Sequence, residues 1–349
     1  MMHKIIIVEQ EDEWNDYVNR SINYDCFHSW FYHTLDNSGK PFLFVYQEDD
    51  IFIALPLLKR KIDDSSLFDL SSVYGYSGPI SNRPFEEIDD HLLLDFTDLF
   101  VNFMKSEDCI CVFLRLHPFY RQDILLNKIG GVAANGKTVY MDLTISVDEQ
   151  RSRYEKRLFR QIKQLRKQDF VIRDTRDAKH IKAFTEMYSE NMDRVSASQS
   201  YYYSEEYFSE LIHNKDFNCK LIMVFDGETA ICGAIVMYAN NIIRTHLSAT
   251  AANYLKESPS KLLTDEISLI GRQMGAKYFH LGGGVGGRED TLYKFKSYFS
   301  GLYLHDYTWR FIADNDAYNA QVEIRGMRRM AQPDFFPQYR SVQLVALKD

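Results

Sequence analysis

Residues 276–301 read AKYFHLGGGVGGREDTLYKFKSYFSG, and this stretch decides how the rest of the chain is interpreted. AKYFHL predicts a short buried strand that ends at Gly282. GGGVGG predicts a turn that no side chain obstructs, so a ligand or another backbone can approach it closely. REDTLYKFKSYF then predicts a helix, with Asp290 or Thr291 placed to cap its free amide groups.

The predicted helix places its two lysines differently. On a 3.6-residue period Leu292, Phe295 and Phe299 form one apolar stripe, and Lys294 lies on the far side. Lys296 lies only about 40° from Leu292 around the helix axis. We therefore expect Lys296 at the margin of the core, close to the glycine turn.

Several interpretations of the glycine turn are compatible with its spacing. Gly282, Gly284 and Gly287 satisfy G-x-G-x-x-G, and Asp306 follows at about 20 residues, as in a dinucleotide site. A phosphate-binding P-loop fits the glycine spacing, but Arg and Glu replace its Lys and Ser/Thr, which makes this interpretation weak. The third alternative is a close-packed turn that binds no ligand.

Further segments along the chain support a family resemblance. HLGGG and LYKFKSYFS, together with LPLLKR, VYGYSGPIS, RLHP, HLSAT and FFPQYR in this order, resemble the FemABX proteins and their acetyltransferase-like (GNAT-like) relatives. The resemblance implies an α/β (α+β) chain of two tandem GNAT-like folds, each a mixed, mostly antiparallel sheet flanked by helices. Two predicted hairpins, at residues 41–57 and 220–237, hold equivalent positions in the two halves, which is typical of a duplicated domain.

The predicted domains are residues 1–150, on the acceptor side, and residues 151–349, on the acyl-donor and catalytic side. KTVYMDLT is predicted to be the strand that closes the first domain. GLYLHDYTWRFI is predicted to add a further strand to the second domain.

The resemblance also implies candidate site residues. The predicted catalytic residues are Phe295 and Lys296, which match the Phe-Lys pair of the family, and His246, a general base in HLSAT. The predicted substrate-binding residues are Arg194, Tyr201, His28, Trp30, Tyr74, Tyr76, Ser77, Gly282, Gly283 and Gly284. Four of these residues have an ordinary structural alternative. Lys296 can be a helix-flanking lysine, His246 a hydrogen-bonded strand histidine and Trp30 a core residue. Arg194 can form an ion pair with Glu190.

Composition narrows the class of protein. The chain has 349 residues, 45% of them hydrophobic, with 23 Tyr and 24 Phe, which predicts a globular protein with large cores. Five cysteines without metal-ligand spacing predict reduced thiols, and we expect no metal site. We expect neither a signal peptide nor a membrane span, and therefore a cytoplasmic protein.

One segment of the chain carries a concentration of positive charge that favours an anionic partner. The formal net charge of −8 argues against a general DNA-binding surface. Residues 151–168 nevertheless carry eight Lys or Arg against one acid, and their apolar positions recur at helical spacing. This segment predicts an amphipathic basic helix whose polar face can hold phosphates; the alternative is a solvated surface helix.

The segment after HLSAT bears on the identity of the donor. AANYLKESPSKLL lacks the glycine of the usual CoA cradle, although Ser258, Ser260 and Lys261 can contact a phosphate. The missing glycine is typical of the FemABX branch. The resemblance to this branch implies aminoacyl-tRNA as donor, with the basic segment 151–168 as its contact.

The resemblance then implies transfer of an aminoacyl or acyl group onto an amine of a cell-envelope precursor. The precursor is a peptidoglycan peptide or an amino sugar, so the acceptor amine is peptide or nucleotide-linked. No permanently bound cofactor is expected. Two alternatives stay open. One is an acyl-CoA-dependent N-acyltransferase in surface polysaccharide or specialised amide synthesis. The other is a non-catalytic nucleotide-sugar-binding module.

Overall fold

The computed structural model describes residues 3–331 and 335–341, which divide into two compact units. The first unit combines the described residues of Met1–Asn135 with those of Tyr307–Asp349. The second unit is Gly136–Asp306. The two boundaries cut through the two long strands that carry the chain from one unit to the other.

The chain begins in the first unit. Its elements there are β1 (His3–Val8), α1 (Glu11–Arg20), α2 (Trp30–Thr34), β2 (Lys40–Glu48), β3 (Ile51–Lys61), β4 (Phe68–Ser71), β5 (Ile80–Ser81), α3 (Asp90–Ser106), β6 (Cys109–Arg115) and α4 (Asp123–Ile129). β7 (Val132–Asp142) then leads into the second unit.

The second unit repeats the alternation of helices and hairpins. Its elements are α5 (Val147–Ser152), α6 (Lys156–Leu165), β8 (Val171–Thr175), α7 (Ala178–Arg194), α8 (Glu205–His213), β9 (Asn218–Asp226), β10 (Thr229–Ala239), β11 (Ile242–Thr250), α9 (Ser260–Gln273), β12 (Tyr278–Gly282) and α10 (Thr291–Ser297). β13 (Tyr303–Ile312) returns to the first unit, where α11 (Asn315–Ile324) follows.

The two units have the same strand order. In the first, the order is β1-β2-β3-β4-β6-β13, with the short β5 paired to β3. In the second, it is β8-β9-β10-β11-β12-β7. Each path has one parallel pair, β4 with β6 and β11 with β12, and its other pairs are antiparallel. The predicted mixed, mostly antiparallel and duplicated fold is confirmed.

The two closing strands are exchanged relative to the prediction. β7, expected to complete the first domain, pairs with β12 of the second unit, and β13 pairs with β6 of the first unit. Contacts therefore divide the chain after Asn135 and after Asp306, whereas the predicted boundary fell after residue 150. Hydrophobic alternation identifies a strand but does not specify which sheet edge it joins, because that choice depends on distant contacts.

Each unit has its own apolar core. In the first unit, Phe44 of β2 meets Phe96 and Phe100 of α3 edge-on, with ring centroids 5.7 and 5.1 Å apart. In the second, Leu158 of α6 and Ile267 of α9 are buried in one cluster with strand residues. Each such side chain contributes about 1.5–3 kcal/mol on full burial, so these helices are fixed to their sheets.

Some local predictions were wrong. The segment 151–168 is not one helix: α5 ends at Ser152, and α6 begins after Glu155, whose side chain accepts a hydrogen bond from the Leu158 amide at 2.9 Å. Residues 67–81, whose aromatic, Gly and Pro content is typical of a loop, contain β4 and β5. All five cysteines are free and buried, as expected. No helix within residues 3–331 and 335–341 is long and apolar enough to cross a membrane.

Candidate functional site

The parallel strand pair of the second unit separates part-way along its length. β11 pairs with β12 only where Ile242–Arg244 lie beside Tyr278–His280. On its other side, β11 has a bulge against β10: Thr245 and Leu247 have partners, and His246 is the extra residue between them. Bulges re-aim side chains and are frequent beside active sites. The pairing therefore ends at the carboxyl ends of two parallel strands, a common location for ligands in α/β proteins.

The glycine turn lies at the end of β12. Asp290 holds this turn and caps α10: its two carboxylate oxygens accept hydrogen bonds from the Tyr293 amide at 2.9 Å and the Val285 amide at 3.0 Å. Slight burial raises the pKa of Asp290, but the amide hydrogen bonds and the Lys296 charge outweigh this and lower it. The amides of Gly283 and Gly284 donate no hydrogen bond to any residue that the structure describes.

Lys296 reaches the turn from α10. Its Nζ donates a hydrogen bond to the Gly283 carbonyl oxygen at 2.6 Å, and the side chain is partly buried. The preceding Phe295 packs edge-on against Phe299, with ring centroids 5.5 Å apart, so the helix is anchored to the core. The predicted place of Lys296 beside the glycine turn thus corresponds to a direct contact.

The apolar stripe of this helix is rotated relative to the prediction. Leu292 is 43% exposed, while Tyr293 and Phe295 are partly buried against the core. α10 has only seven residues, and Phe299 lies beyond its end. The 3.6-residue period therefore applies to a shorter segment than the sequence suggested.

A second group of charges surrounds the start of α9. The residue before this helix is Pro259, which supplies no side-chain cap for the amides of the first turn. Burial, followed by the charge of Arg157, lowers the pKa of Lys261. Neither cation has an ion-pair partner among the described residues. Two cations close to the start of a helix favour an anion at that place. Sequence analysis missed Arg157, because its proximity to Lys261 depends on folding.

The basic segment is divided between structure and surface. Arg151 and Arg166 each place Nη2 2.7 Å from Oδ2 of Asp265, which is fully buried. The Tyr154 hydroxyl donates a further hydrogen bond to this carboxylate at 3.0 Å. Burial raises the pKa of Asp265, but the hydrogen bonds from the two arginines outweigh it and lower the pKa. These two arginines hold α5 and α6 to α9.

Arg153, at the end of α5, is exposed and pairs with Glu149 at 2.6 Å. The other cations that the segment leaves on the surface belong to α6 and its C-terminal extension. They are Lys156, Arg157, Arg160, Lys163 and Lys167. This exposed row is the part of the predicted basic segment that remains available to an anionic partner.

The predicted acceptor residues of the first unit differ in exposure. His28 is fully buried, and its Nδ1 accepts the Asp25 amide at 3.0 Å; burial lowers its pKa to about 3. Tyr76 and Ser77 are also buried. Tyr74 is 45% exposed, and Trp30 is partly buried at the margin of a core cluster. Of these predicted residues, Tyr74 and Trp30 therefore offer surface to a ligand as the unit stands.

Arg194 is the last residue of α7, and Tyr201 lies in the segment that follows this helix. Both are exposed, Tyr201 in the short 3-10 turn Gln199–Tyr201. The Arg194 guanidinium donates to the side-chain oxygen of Asn191 rather than pairing with Glu190. The alternative ion pair of the sequence analysis is thus replaced by an amide contact on the same helix.

The separated parallel strands, the bulge at His246 and the helix that follows β11 define a GNAT-type acyltransferase fold. Residues 152–297 match the family model described as an acetyltransferase (GNAT) domain, which spans the site from α6 to α10. This fold does not contain the doubly wound parallel sheet on which the dinucleotide interpretation depended.

Solved structures extend the comparison to nearly the whole chain. FemX is 14% identical, with a TM-score of 0.72 over 92% of this chain and 99% of that one. L-PGS from Bacillus licheniformis is 11% identical, with a TM-score of 0.59 over 88% and 93%. A tandem GNAT protein from the clavulanic acid biosynthesis pathway is 8% identical, with a TM-score of 0.51 over 89% and 99%. No curated protein matches the chain. The predicted resemblance to FemABX and GNAT-like proteins is confirmed, and the findings support an acyltransferase.

Proposed function

We propose that the chain transfers an aminoacyl or acyl group to an amine, with the donor bound where β11 and β12 separate. The single observation that supports this most is that the β11–β12 pairing ends beside a glycine turn that Lys296 contacts at 2.6 Å. An amine nitrogen attacks the activated carbonyl carbon of an ester or a thioester. The C–N bond forms, the C–O or C–S bond breaks, and the amine proton passes to a base.

The turn and its lysine are assigned to the developing oxyanion. Lys296 Nζ donates to the Gly283 carbonyl oxygen at 2.6 Å, so a positive charge lies directly beside the turn. The amides of Gly283 and Gly284 are further donors at the same turn. Donors that are already oriented contribute most where negative charge develops, about 10²–10³-fold in rate for each. Phe295 serves this arrangement by anchoring α10, and Gly282 lets the chain leave the strand with φ of 80°.

His246 is assigned to accept the amine proton. The bulge places it at the point where β11 leaves β12, and its side chain is only partly buried. Histidine is the side chain that most often serves as a general base in catalysis.

The group at the start of α9 is assigned to donor phosphate. Lys261 and Arg157 supply positive charge, and Ser258 and Ser260 supply hydroxyls beside the helix amides. Phosphate is common to a charged tRNA and to CoA. We favour aminoacyl-tRNA, because residues 251–259 contain no glycine and α6 presents further exposed cations along one face. An acyl-CoA donor is the second candidate, favoured by the GNAT family match.

The acceptor is proposed to be an amine of a cell-envelope precursor, peptide or nucleotide-linked. Arg194 can bind a phosphate or carboxylate through two N–H groups, and Tyr201, seven residues further along the chain, offers an exposed ring. Tyr74 and Trp30 are the acceptor-side candidates with accessible surface in the first unit. Both proposed donors are made in the cytoplasm, and we place the reaction there.

The test supplies the purified chain with labelled aminoacyl-tRNA or with acetyl-CoA, and with amines of the peptide and amino-sugar classes. Ribonuclease should abolish transfer if tRNA is the donor. Lys261→Ala combined with Arg157→Ala should raise the KM for the donor, while Lys182→Ala, which removes an exposed lysine of α7 outside the cationic row, should not. Absence of transfer from either donor, with retained binding of a UDP-sugar, would favour the non-catalytic module instead.

A further inference from the structure

The glycine turn rests on a strand from the first half of the sequence. Gly136 of β7 has φ of 124°, and a Cβ there would lie 2.0 Å from the Gly287 carbonyl oxygen. A Cβ on Gly283 would lie 2.7 Å from the Lys137 carbonyl oxygen. Real Cβ atoms do not approach backbone oxygens so closely. The two backbones therefore meet at both ends of the turn, and glycine is required on each side of the contact.

An ion pair closes the same contact from outside. Lys137 Nζ lies 3.0 Å from Oε1 of Glu289, the residue before the Asp290 cap. The ammonium also lies 4.8 Å from the centroid of the Tyr303 ring. The hydrogen bond to Glu289 and the charge of that carboxylate raise the pKa of Lys137. Lys137 is therefore a cation over the working pH range, held between a carboxylate and an aromatic face.

These contacts form a chain that ends at the proposed catalytic lysine. Lys137 holds Glu289, the next residue Asp290 holds both the turn and the start of α10, and Lys296 of α10 contacts Gly283. A displacement of Glu289 would move the cap that fixes the turn relative to the helix. Small displacements of oriented donors are costly in transfer reactions.

We propose that Lys137 is a positioning residue for the glycine turn, and that residues 136–138 of β7 are a wall of the donor site. The claim rests on the proposed function and extends it. β7 lies before residue 152, so this wall is outside the segment that matches the GNAT family model. The donor site of the second unit is therefore built from both halves of the sequence, because β7 belongs to this unit from Gly136 onward.

The first measurement does not depend on activity. Hydrogen–deuterium exchange is followed at residues 283–290 in the full chain, for the wild type, Lys137→Met, Glu289→Gln and the double variant. Each single variant should speed exchange of the turn amides by about two- to five-fold, and the double variant should add little more. The reversed pair, Lys137→Glu with Glu289→Lys, should restore slow exchange. Lys294→Met, on the outer face of α10, is the matched control and should change nothing.

The second measurement separates positioning from stability. With acetyl-CoA or charged tRNA as probe, Lys137→Met should lower transfer several-fold while the thermal midpoint stays within about 1 °C of the wild type. Lys137→Arg should recover most of the rate, and about 0.5 M salt should reduce the difference, because the pair is partly exposed. Gly136→Ala should lower the rate further than Lys137→Met.

The outcomes are distinguishable. Unchanged exchange in Lys137→Met overturns the proposal even if the wild type is an active transferase. Faster exchange without any loss of rate also overturns it, because the ion pair would then hold the turn without positioning the donor. Faster exchange in a chain that transfers nothing supports the clamp and refutes the proposed function.

Discussion

Replacement of Lys296 by Met tests the proposed oxyanion site most fully among single substitutions. Methionine keeps an unbranched apolar stem, so the packing of α10 beside Phe295 is retained. The change removes the ammonium that donates to the Gly283 carbonyl oxygen at 2.6 Å. We expect the loss to fall on the transition state, where charge develops on the acyl oxygen, rather than on donor binding.

The magnitude follows from the geometry of the contact. Loss of one oriented donor in an oxyanion site lowers kcat by about 10²–10³-fold, or about 2.7–4 kcal/mol. The effect on folding should be smaller, because Lys296 is only partly buried and water can replace the donor. We expect a loss of about 1 kcal/mol in the free energy of unfolding, which lowers the thermal midpoint by about 2–4 °C.

The assay compares initial rates at saturating donor with the Kd for the same donor. Lys296→Met should retain the Kd within about three-fold of the wild type, and its kcat should be lower by about 10²–10³-fold. Lys296→Arg should be intermediate, because it keeps the charge but changes the position of the donors. Lys294→Met is the control, since Lys294 is exposed on the same helix. A Lys296→Met variant with kcat within about three-fold of the wild type would refute the assignment.

Three further predictions concern the turn, the core of the second unit and the pH dependence of stability. Gly284→Ala should abolish transfer, because its Cβ would lie 2.0 Å from the Arg288 carbonyl oxygen. Gly301→Ala is the control and should leave the rate unchanged, because the space around Gly301 is open. Equal transfer rates for the two variants would contradict this prediction. Asp265→Ala should cost about 3 kcal/mol in urea unfolding, because it leaves two arginines without their buried carboxylate; a cost below about 1 kcal/mol contradicts this. Burial lowers the pKa of His28 from 6.5 to about 3 and that of His33 from 6.5 to about 4. Below pH 6.5 the unfolded chain therefore binds protons that the folded chain does not. The free energy of unfolding should be constant above pH 6.5 and lower at pH 5 by about 2 kcal/mol for each histidine. The His28→Asn, His33→Asn chain should show a flatter profile; an identical slope contradicts the assignment.

Local patterns were sufficient for most elements of the fold. The two hairpins were predicted because apolar runs flank short polar turns. Asp290 or Thr291 was predicted as a cap because both precede a helical period, and Asp290 is the cap. The position of Lys296 beside the turn followed from the same period. These features depend on residues within one or two turns of each other, which a single sequence displays directly.

The remaining features depend on residues that are distant in sequence. The exchange of β7 and β13 was not predictable, because either strand fits either sheet edge by its pattern alone. Arg151 and Arg166 were counted as surface cations, yet Asp265, far along the chain, draws both inward. His28 was assigned to a ligand cleft but is buried, because its neighbour Asp25 folds back onto the ring.

The exposed acceptor residues can be tested by the same reasoning as the donor site. Arg194→Ala should raise the KM for an anionic acceptor without changing the KM for the donor, because the residue ends α7 and its guanidinium donates to Asn191 on the same helix. Initial rates at varied acceptor and fixed donor measure this. An equal rise in both constants would contradict an acceptor role.

The most direct test of the central claim is a binding titration of the donor to the second unit within the full chain. Isothermal calorimetry with acetyl-CoA, and filter binding with a charged tRNA, should show saturable binding of one donor at low salt. That affinity should fall at least about ten-fold in Lys261→Glu and stay unchanged in Lys182→Glu, which reverses an exposed charge on α7 outside the cationic row of α6. Binding of neither donor by the wild type, or an equal loss in both variants, would contradict the claim that β11, β12 and α9 form an acyl-donor site.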